Sequence, residues 1–267
     1  MSWVWSALMP HPPIIVPDVG RGREKEAAIT IGGVKALMKR LSELEPPDRV
    51  LLVSPHQPYS PGALCVNRAD VIRGSLAPFG APYPAFDLRT PIAEADALGD
   101  FLSASGIPVR FCESGDLTHD QGSLVPLYFL AGIFDRLPPT ILSSPIGLDI
   151  ETAFQMGCAL AALDDGRKWA LLASGDLSHR LKPGAPAGFS PEGQKFDDAV
   201  VEAIKKLDAS ILSNLSRKTL EGAGECGLRS VMIMLGLCSE LGGAIDVLSY
   251  EGPFGVGYCN AIFVGRQ

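Results

Sequence analysis

Positive charge is in the minority. Lys and Arg number 23 against 30 Asp and Glu in a chain of 267 residues, a formal net charge of −7. A field of that sign repels phosphate backbones, so nucleic acid is not expected as a partner. Long apolar runs are missing too: no stretch of eighteen or more apolar residues occurs, and the opening MSWVWSALMPHPP has no basic segment ahead of its apolar residues. Neither a membrane span nor a secretory leader is expected, which points to the cytoplasm. Local site signatures are also lacking. HExxH, CxxC pairs and EF-hand loops are absent, as are the GxxxxGK[ST] phosphate loop and the GxSxG elbow, which removes the phosphate-loop and serine-hydrolase readings. Six cysteines, Cys65, Cys112, Cys158, Cys226, Cys238 and Cys259, are scattered singly. In a reducing compartment such residues are small buried hydrophobes, and five of the six are read that way.

The 46% hydrophobic content is ample for one continuous core, and a single domain over 1–267 is expected. Residues 3–9 (WVWSALM) read as a strand and 24–44 as a helix stopped by Pro46 and Pro47. RVLLVS at 49–54 is apolar on both faces, as in a buried parallel strand. Residues 63–90, rich in Pro and Gly, suggest a hairpin-like excursion. Beyond it helices (91–105, 124–134, 150–164, 191–207, 227–241) alternate with strands (IPVRFC, PTILSS, KWALLAS), and two strands, AIDVLSYEG and GYCNAIFVG, close the chain. This alternation predicts an α/β fold, a three-layer domain whose central mixed sheet is flanked by helices, the last two strands antiparallel. The loop 181–193 is expected to cover one face.

The chain has only four histidines, and three of them, His11, His56 and His179, fall just past the ends of predicted strands, where open α/β sheets gather their binding loops. Two neutral imidazoles and a carboxylate on one face of a metal make the facial triad of non-heme Fe(II) oxygenases. His11 and His56 suit the ligand role, since each sits in a Pro-flanked turn that restricts its backbone. His179, after Asp176 and Ser178, is a candidate acid/base, imidazole being the side chain that ordinarily exchanges protons near neutral pH. For the carboxylate, Asp18, Asp120, Asp176, Glu225 and Glu251 all stand near glycines or turn signals.

Five segments in order, ALMPHPPIIVPDVG, LLVSPHQPYSPG, HDQGSLVPLYFL, LLASGDLSHRL and GPFGVGY, resemble the catalytic chains of the class III extradiol ring-cleavage dioxygenase superfamily. The nearest branch is that of the Memo-like proteins found with an AMMECR1 domain and a radical SAM protein. The resemblance implies Fe(II) held by His11, His56 and a glutamate matching Glu225, with His179 as acid/base. Memo-like relatives use a cysteine at about the place of Cys226, the alternative third ligand, and a thiolate would suit Zn(II) or copper. Many relatives carry Asp-His-Gly where this chain reads Asp120-Gln121-Gly122. The Memo-like pattern places its histidine where His119 stands, lining the pocket or capping a turn. The implied reaction inserts O2 into a catechol or aminophenol ring. The implied alternative is a metal-binding protein without that activity, acting with AMMECR1-domain and radical SAM partners in a modification or redox pathway; a Zn(II) hydrolase is a third reading. Tyr128 and Tyr258 are candidate hydrogen-bond donors, and assembly as a homo-oligomer is expected.

Overall fold

A computed structural model describes residues 2–265. Its elements, in chain order, are β1 (Trp3–Met9), α1 (Pro17–Gly20), α2 (Ala28–Ser42), β2 (Arg49–Val53), β3 (Leu64–Asn67), β4 (Val71–Leu76), β5 (Ala81–Arg89), α3 (Ile92–Ala104), β6 (Val109–Cys112), α4 (Gln121–Leu130), β7 (Thr140–Ser144), α5 (Ile150–Ala161), β8 (Trp169–Ser174), α6 (Pro191–Lys206), α7 (Ser210–Ser213), α8 (Arg217–Ala223), α9 (Leu228–Leu241), β9 (Ile245–Glu251) and β10 (Tyr258–Val264). Eight strands make one mixed sheet in the order β6-β3-β7-β2-β8-β1-β10-β9, and β4 and β5 form a separate two-stranded sheet. The pairs β7/β2, β2/β8 and β8/β1 are parallel, whereas β10 runs antiparallel to both β1 and β9. The expected α/β class, central mixed sheet and antiparallel final pair are all present.

Strands buried on both faces explain the three layers. Leu8, Leu51, Val53 and Leu171 point to one face, where α3, α5, α6 and α9 cover them; Ala7, Met9, Leu52 and Leu172 point to the other, under α2, α4 and the β4/β5 hairpin. In α2 the buried positions Val34, Leu37, Met38 and Leu41 recur at helical spacing. Its first turn is held from β9, where Glu251 Oε1 accepts from the Thr30 N–H at 2.5 Å and the Thr30 hydroxyl at 2.7 Å.

Three expectations need correction. The helix expected over 124–134 runs over Gln121–Leu130, because Asp120 accepts from the Ser123 N–H at 2.9 Å and caps it earlier. The segment 24–44 begins with a 3₁₀ turn, Arg23–Ala27, before α2. Cys65 and Cys112 are not separate buried residues. Parallel pairing of β3 with β6 brings their Cα atoms to 6.2 Å, and they are joined as a disulfide.

The sheet order matters most for function. β8 lies between β2 and β1, with Val53 opposite Ala173 and Met9 opposite Ser174. The turns after these three parallel strands therefore leave the same edge of the sheet side by side, carrying His56, Asp176 to His179, and His11.

Candidate metal centre

The turn after β1 delivers His11 into the interior, with 1% of its surface exposed. Its backbone N–H donates to Asp176 Oδ1 at 2.8 Å, and its ring Nδ1 lies 2.9 Å from Ser174 Oγ. With Nδ1 engaged, Nε2 is the ring atom left for a ligand, the arrangement usual for metal-binding histidines. Burial first, and repulsion from His56 next, hold the His11 pKa well below the ordinary histidine value, so the ring is neutral. His56 is exposed at the mouth. Its N–H donates to Ser54 Oγ at 3.2 Å, and that hydroxyl donates to Asp120 Oδ1 at 2.6 Å. The two imidazoles meet edge to face, 79° apart, with their Nε2 atoms at 3.1 Å.

The third member comes from the turn between α8 and α9. Its approach depends on two glycines: a Cβ on Gly175 would stand 2.3 Å from the Gly227 Cα, so only glycine lets the turn after β8 touch the turn before α9. The Asp176 carbonyl then accepts from the N–H groups of Cys226 and Gly227, at 3.4 and 2.9 Å. Cys226 Sγ is left 3.6 Å from His11 Nε2. One donor atom each from His11, His56 and Cys226 lies within 4.8 Å of the others. Nitrogens about 2.1 Å and a thiolate about 2.3 Å from one tetrahedral ion would stand roughly 3.4 Å (N to N) and 3.6 Å (N to S) apart. The two spacings about His11, 3.1 Å to His56 Nε2 and 3.6 Å to Cys226 Sγ, are close to these values. Burial, and Asp176 after it, push the Cys226 thiol well above its usual pKa, and a bound cation would draw off that proton.

Glu225 is not in this group. Its Oε2 accepts from the Leu228 N–H at 2.6 Å, closing the first turn of α9, and burial raises its pKa. Glycines at 222, 224 and 227 match the spacing GxGxxG, but the segment joins helix to helix instead of strand to helix and so lacks the dinucleotide-binding context. Among the other carboxylates, Asp18 is exposed in α1, Glu251 serves α2, and Asp120 accepts from Ser54, Ser123 and Gln57. Asp176 is closest to the centre: buried, with Oδ2 3.8 Å from His11 Nε2 and its pKa raised by burial.

His179 belongs to the same turn as Asp176, and its Nδ1 is buried without a hydrogen-bond partner. A buried polar atom left without a protein partner is open to a bound molecule or water. His119 is exposed and lines a shallow cleft of about 210 Å³ with His56, Gln57, Ser114, Asp116 and Thr118. Gln121, at the middle position of Asp-Gln-Gly, puts Nε2 3.2 Å from His56 Nε2. Tyr258 is buried, and its raised pKa reflects burial and then Asp176. Tyr128 packs edge-on against Phe129. Ser174 is a residue beside the donors that sequence reasoning missed, although it was foreseeable as the last residue of a strand feeding them; Gln121 stands where the relatives' Asp-His-Gly has its histidine.

Residues 6–261 match the profile of a family described as the catalytic LigB subunit of aromatic ring-opening dioxygenase. The chain belongs to the LigB family. It is 32% identical over 261 residues to Protein CA_C1420 of Clostridium acetobutylicum, the match covering 94% of this chain and 55% of that protein. The chain thus spans little more than half the length of that relative. The crystal structure of uncharacterized protein JW3007 from Escherichia coli K12 has the same fold, with a TM-score of 0.69, 17% identity, and coverage of 97% of this chain and 99% of that one. LigB dioxygenases are generally dependent on non-heme iron, and the two-histidine, one-cysteine group is this LigB chain's candidate for holding a metal. No helix among the described residues is long and apolar enough to cross a membrane.

Proposed function

We propose that the chain is a metal-dependent oxidoreductase of dioxygenase type that opens a catechol or aminophenol ring with O2, holding its ion with His11, His56 and Cys226. The observation that carries this reading is the convergence of those three donor atoms within 4.8 Å at the sheet edge where binding loops gather. A bound Fe(II) supplies the one-electron chemistry that ring opening by O2 requires. The chain's own residues do the rest. Ser174 orients His11, Asp176 ties the His11 turn to the Cys226 turn, and His179, with its free Nδ1, takes the proton of a ring hydroxyl and returns it later. His119 and Gln121 border the cleft beside His56.

The test is anaerobic purification, loading with Fe(II), and addition of a panel of catechols and aminophenols while O2 uptake and ring-opened product are followed. Turnover abolished by His11→Ala supports the reading; turnover that survives His11→Ala sinks it. Cys226 in the place of a carboxylate favours a second reading. A thiolate suits copper or Zn(II), and the protein would then be a Memo-like metal-binding protein without ring cleavage, working with AMMECR1-domain and radical SAM partners. Protein that binds metal but turns over none of the panel would move the conclusion there.

A further inference from the structure

A carboxylate that the metal centre does not use is sealed inside the molecule on α6. Asp197 has no exposed surface. Its Oδ1 accepts from the Ser178 N–H at 2.8 Å and its Oδ2 from the Tyr250 hydroxyl at 2.8 Å. The charged or titratable groups that influence it are Tyr250, Asp198 and Glu225, none of them a cation, and burial pushes its carboxyl up to about 7. A Cβ on Gly257 would stand 1.9 Å from Oδ2, so the β10 approach is shaped around this carboxylate. An unpaired buried acid is costly, and hydrophobic residues of the same volume are often as stable or more so. Its use must lie in what it holds.

What it holds is the turn of the site. The amides that follow Asp176 are all engaged: Leu177 N–H donates to Gly257 O at 2.8 Å, Ser178 N–H to Asp197, His179 N–H to Ala223 O at 3.2 Å, Arg180 N–H to Ser178 Oγ at 3.0 Å, and Leu181 N–H to Gly255 O at 3.0 Å. Only one of these acceptors is a side chain from another element, and that is Asp197. Ser178 lies between Asp176, which binds the His11 N–H and carries the carbonyl under Cys226, and His179 with its free Nδ1. We propose that Asp197 is a positioning residue of the metal centre: acting through the Ser178 amide, it fixes the Asp176-to-His179 turn so that His11 and Cys226 keep their spacing. This rests on the metal-centre reading above.

The experiment compares Asp197→Ala, Asp197→Asn and Val200→Ala in the full chain by two readouts, amide hydrogen exchange over 177–180 and Co(II) affinity with its thiolate-to-cobalt absorption. Val200 is buried in the core about one turn along the same helix and has no polar side-chain atom to hold the turn, so it controls for simple destabilisation. Asp197→Ala is expected to speed local exchange, weaken Co(II) binding on the order of tenfold or more, and alter the absorption band. Asp197→Asn, whose amide oxygen still accepts from Ser178 and whose NH2 can donate to Tyr250, is expected to behave nearly as wild type. Val200→Ala is expected to lower stability while leaving both readouts in place. Should Asp197→Ala not fold, Asp197→Glu replaces it: it keeps the carboxyl group but displaces Ser178 where Gly257 leaves no room, and is expected to reproduce the loss. Wild-type exchange and affinity in the displaced variants, or equal losses in Val200→Ala, overturn the proposal. Wild-type protein that binds no Co(II) defeats the metal-centre reading instead, and the exchange comparison alone still decides whether Asp197 holds the turn.

Discussion

Glu225 and Cys226 are neighbours in the chain, yet the turn before α9 sends them to different tasks. One carboxylate ends on the Leu228 amide; one thiol ends beside His11. Their substitutions are expected to separate cleanly. Cys226→Ser should remove the thiolate-to-cobalt absorption and weaken Co(II) binding about tenfold to a hundredfold, while Glu225→Gln should keep the band and lose roughly 1 kcal/mol of stability through the weakened cap. Titration with Co(II) and chemical denaturation read the two effects. Which of the pair faces the histidines is not legible in the sequence, because the choice is made where the Gly175 and Gly227 backbones meet across the fold, not by any local spacing. The place of His11, His56 and His179 at the sheet edge is legible, since a strand end followed by a turn puts a residue there whatever the strand order.

Asp197 makes the stability of the fold depend on pH. Its folded pKa of about 7 lies above the unfolded value near 3.9, so the folded state holds a proton that the unfolded chain releases between those limits. Its contribution is fully present below about pH 4 and is lost as pH rises through 7. Asp197→Asn has no proton to lose. It should therefore gain stability relative to wild type between about pH 5 and pH 8, by an amount on the order of a few kcal/mol at most. Denaturation curves at the two pH values check this, and an unchanged difference between the proteins would count against it.

Among the elements, α5 and α9 are packed backbone to backbone. A Cβ on Gly157 would stand 2.1 Å from Ile233 O, and one on Gly236 would stand 2.1 Å from Phe154 O. Because α9 begins two residues after Cys226, pushing the helices apart also moves the thiol. Gly157→Ala is expected to cost about 1–3 kcal/mol and to weaken Co(II) binding, measured by thermal unfolding and metal titration. The existence of the longer helices is readable from apolar spacing, and α2, α3, α5, α6 and α9 lie close to where that spacing puts them. The start of α4 is not, since it depends on Asp120 capping the Ser123 amide while also holding Ser54 and Gln57. The short helices α7 and α8 carry too few turns to show a period.

For the whole molecule, the α/β class follows from strands and helices alternating along the chain, but the order of strands does not. β8 enters the sheet between β2 and β1, which places a segment from late in the chain between two from its beginning. That insertion builds the site. Strand order likewise hides the pairing of Cys65 with Cys112 in the sequence: the two cysteines are 47 residues apart and meet only once β6 has been laid beside β3. A folded-state site of this kind couples metal binding to stability. At a free metal concentration about a hundredfold above Kd the protein should gain roughly 2.7 kcal/mol, seen as a rise in Tm that His11→Ala abolishes.

The central claim is that one ion is shared by two imidazoles and a thiolate. X-ray absorption at the metal edge of the Fe(II)- or Co(II)-loaded protein tests it most directly. The expected shell contains nitrogen scatterers at about 2.1 Å and one sulfur at about 2.3 Å, the sulfur disappearing in Cys226→Ser. A shell of nitrogen and oxygen alone in the wild-type protein, unchanged by Cys226→Ser, would contradict it.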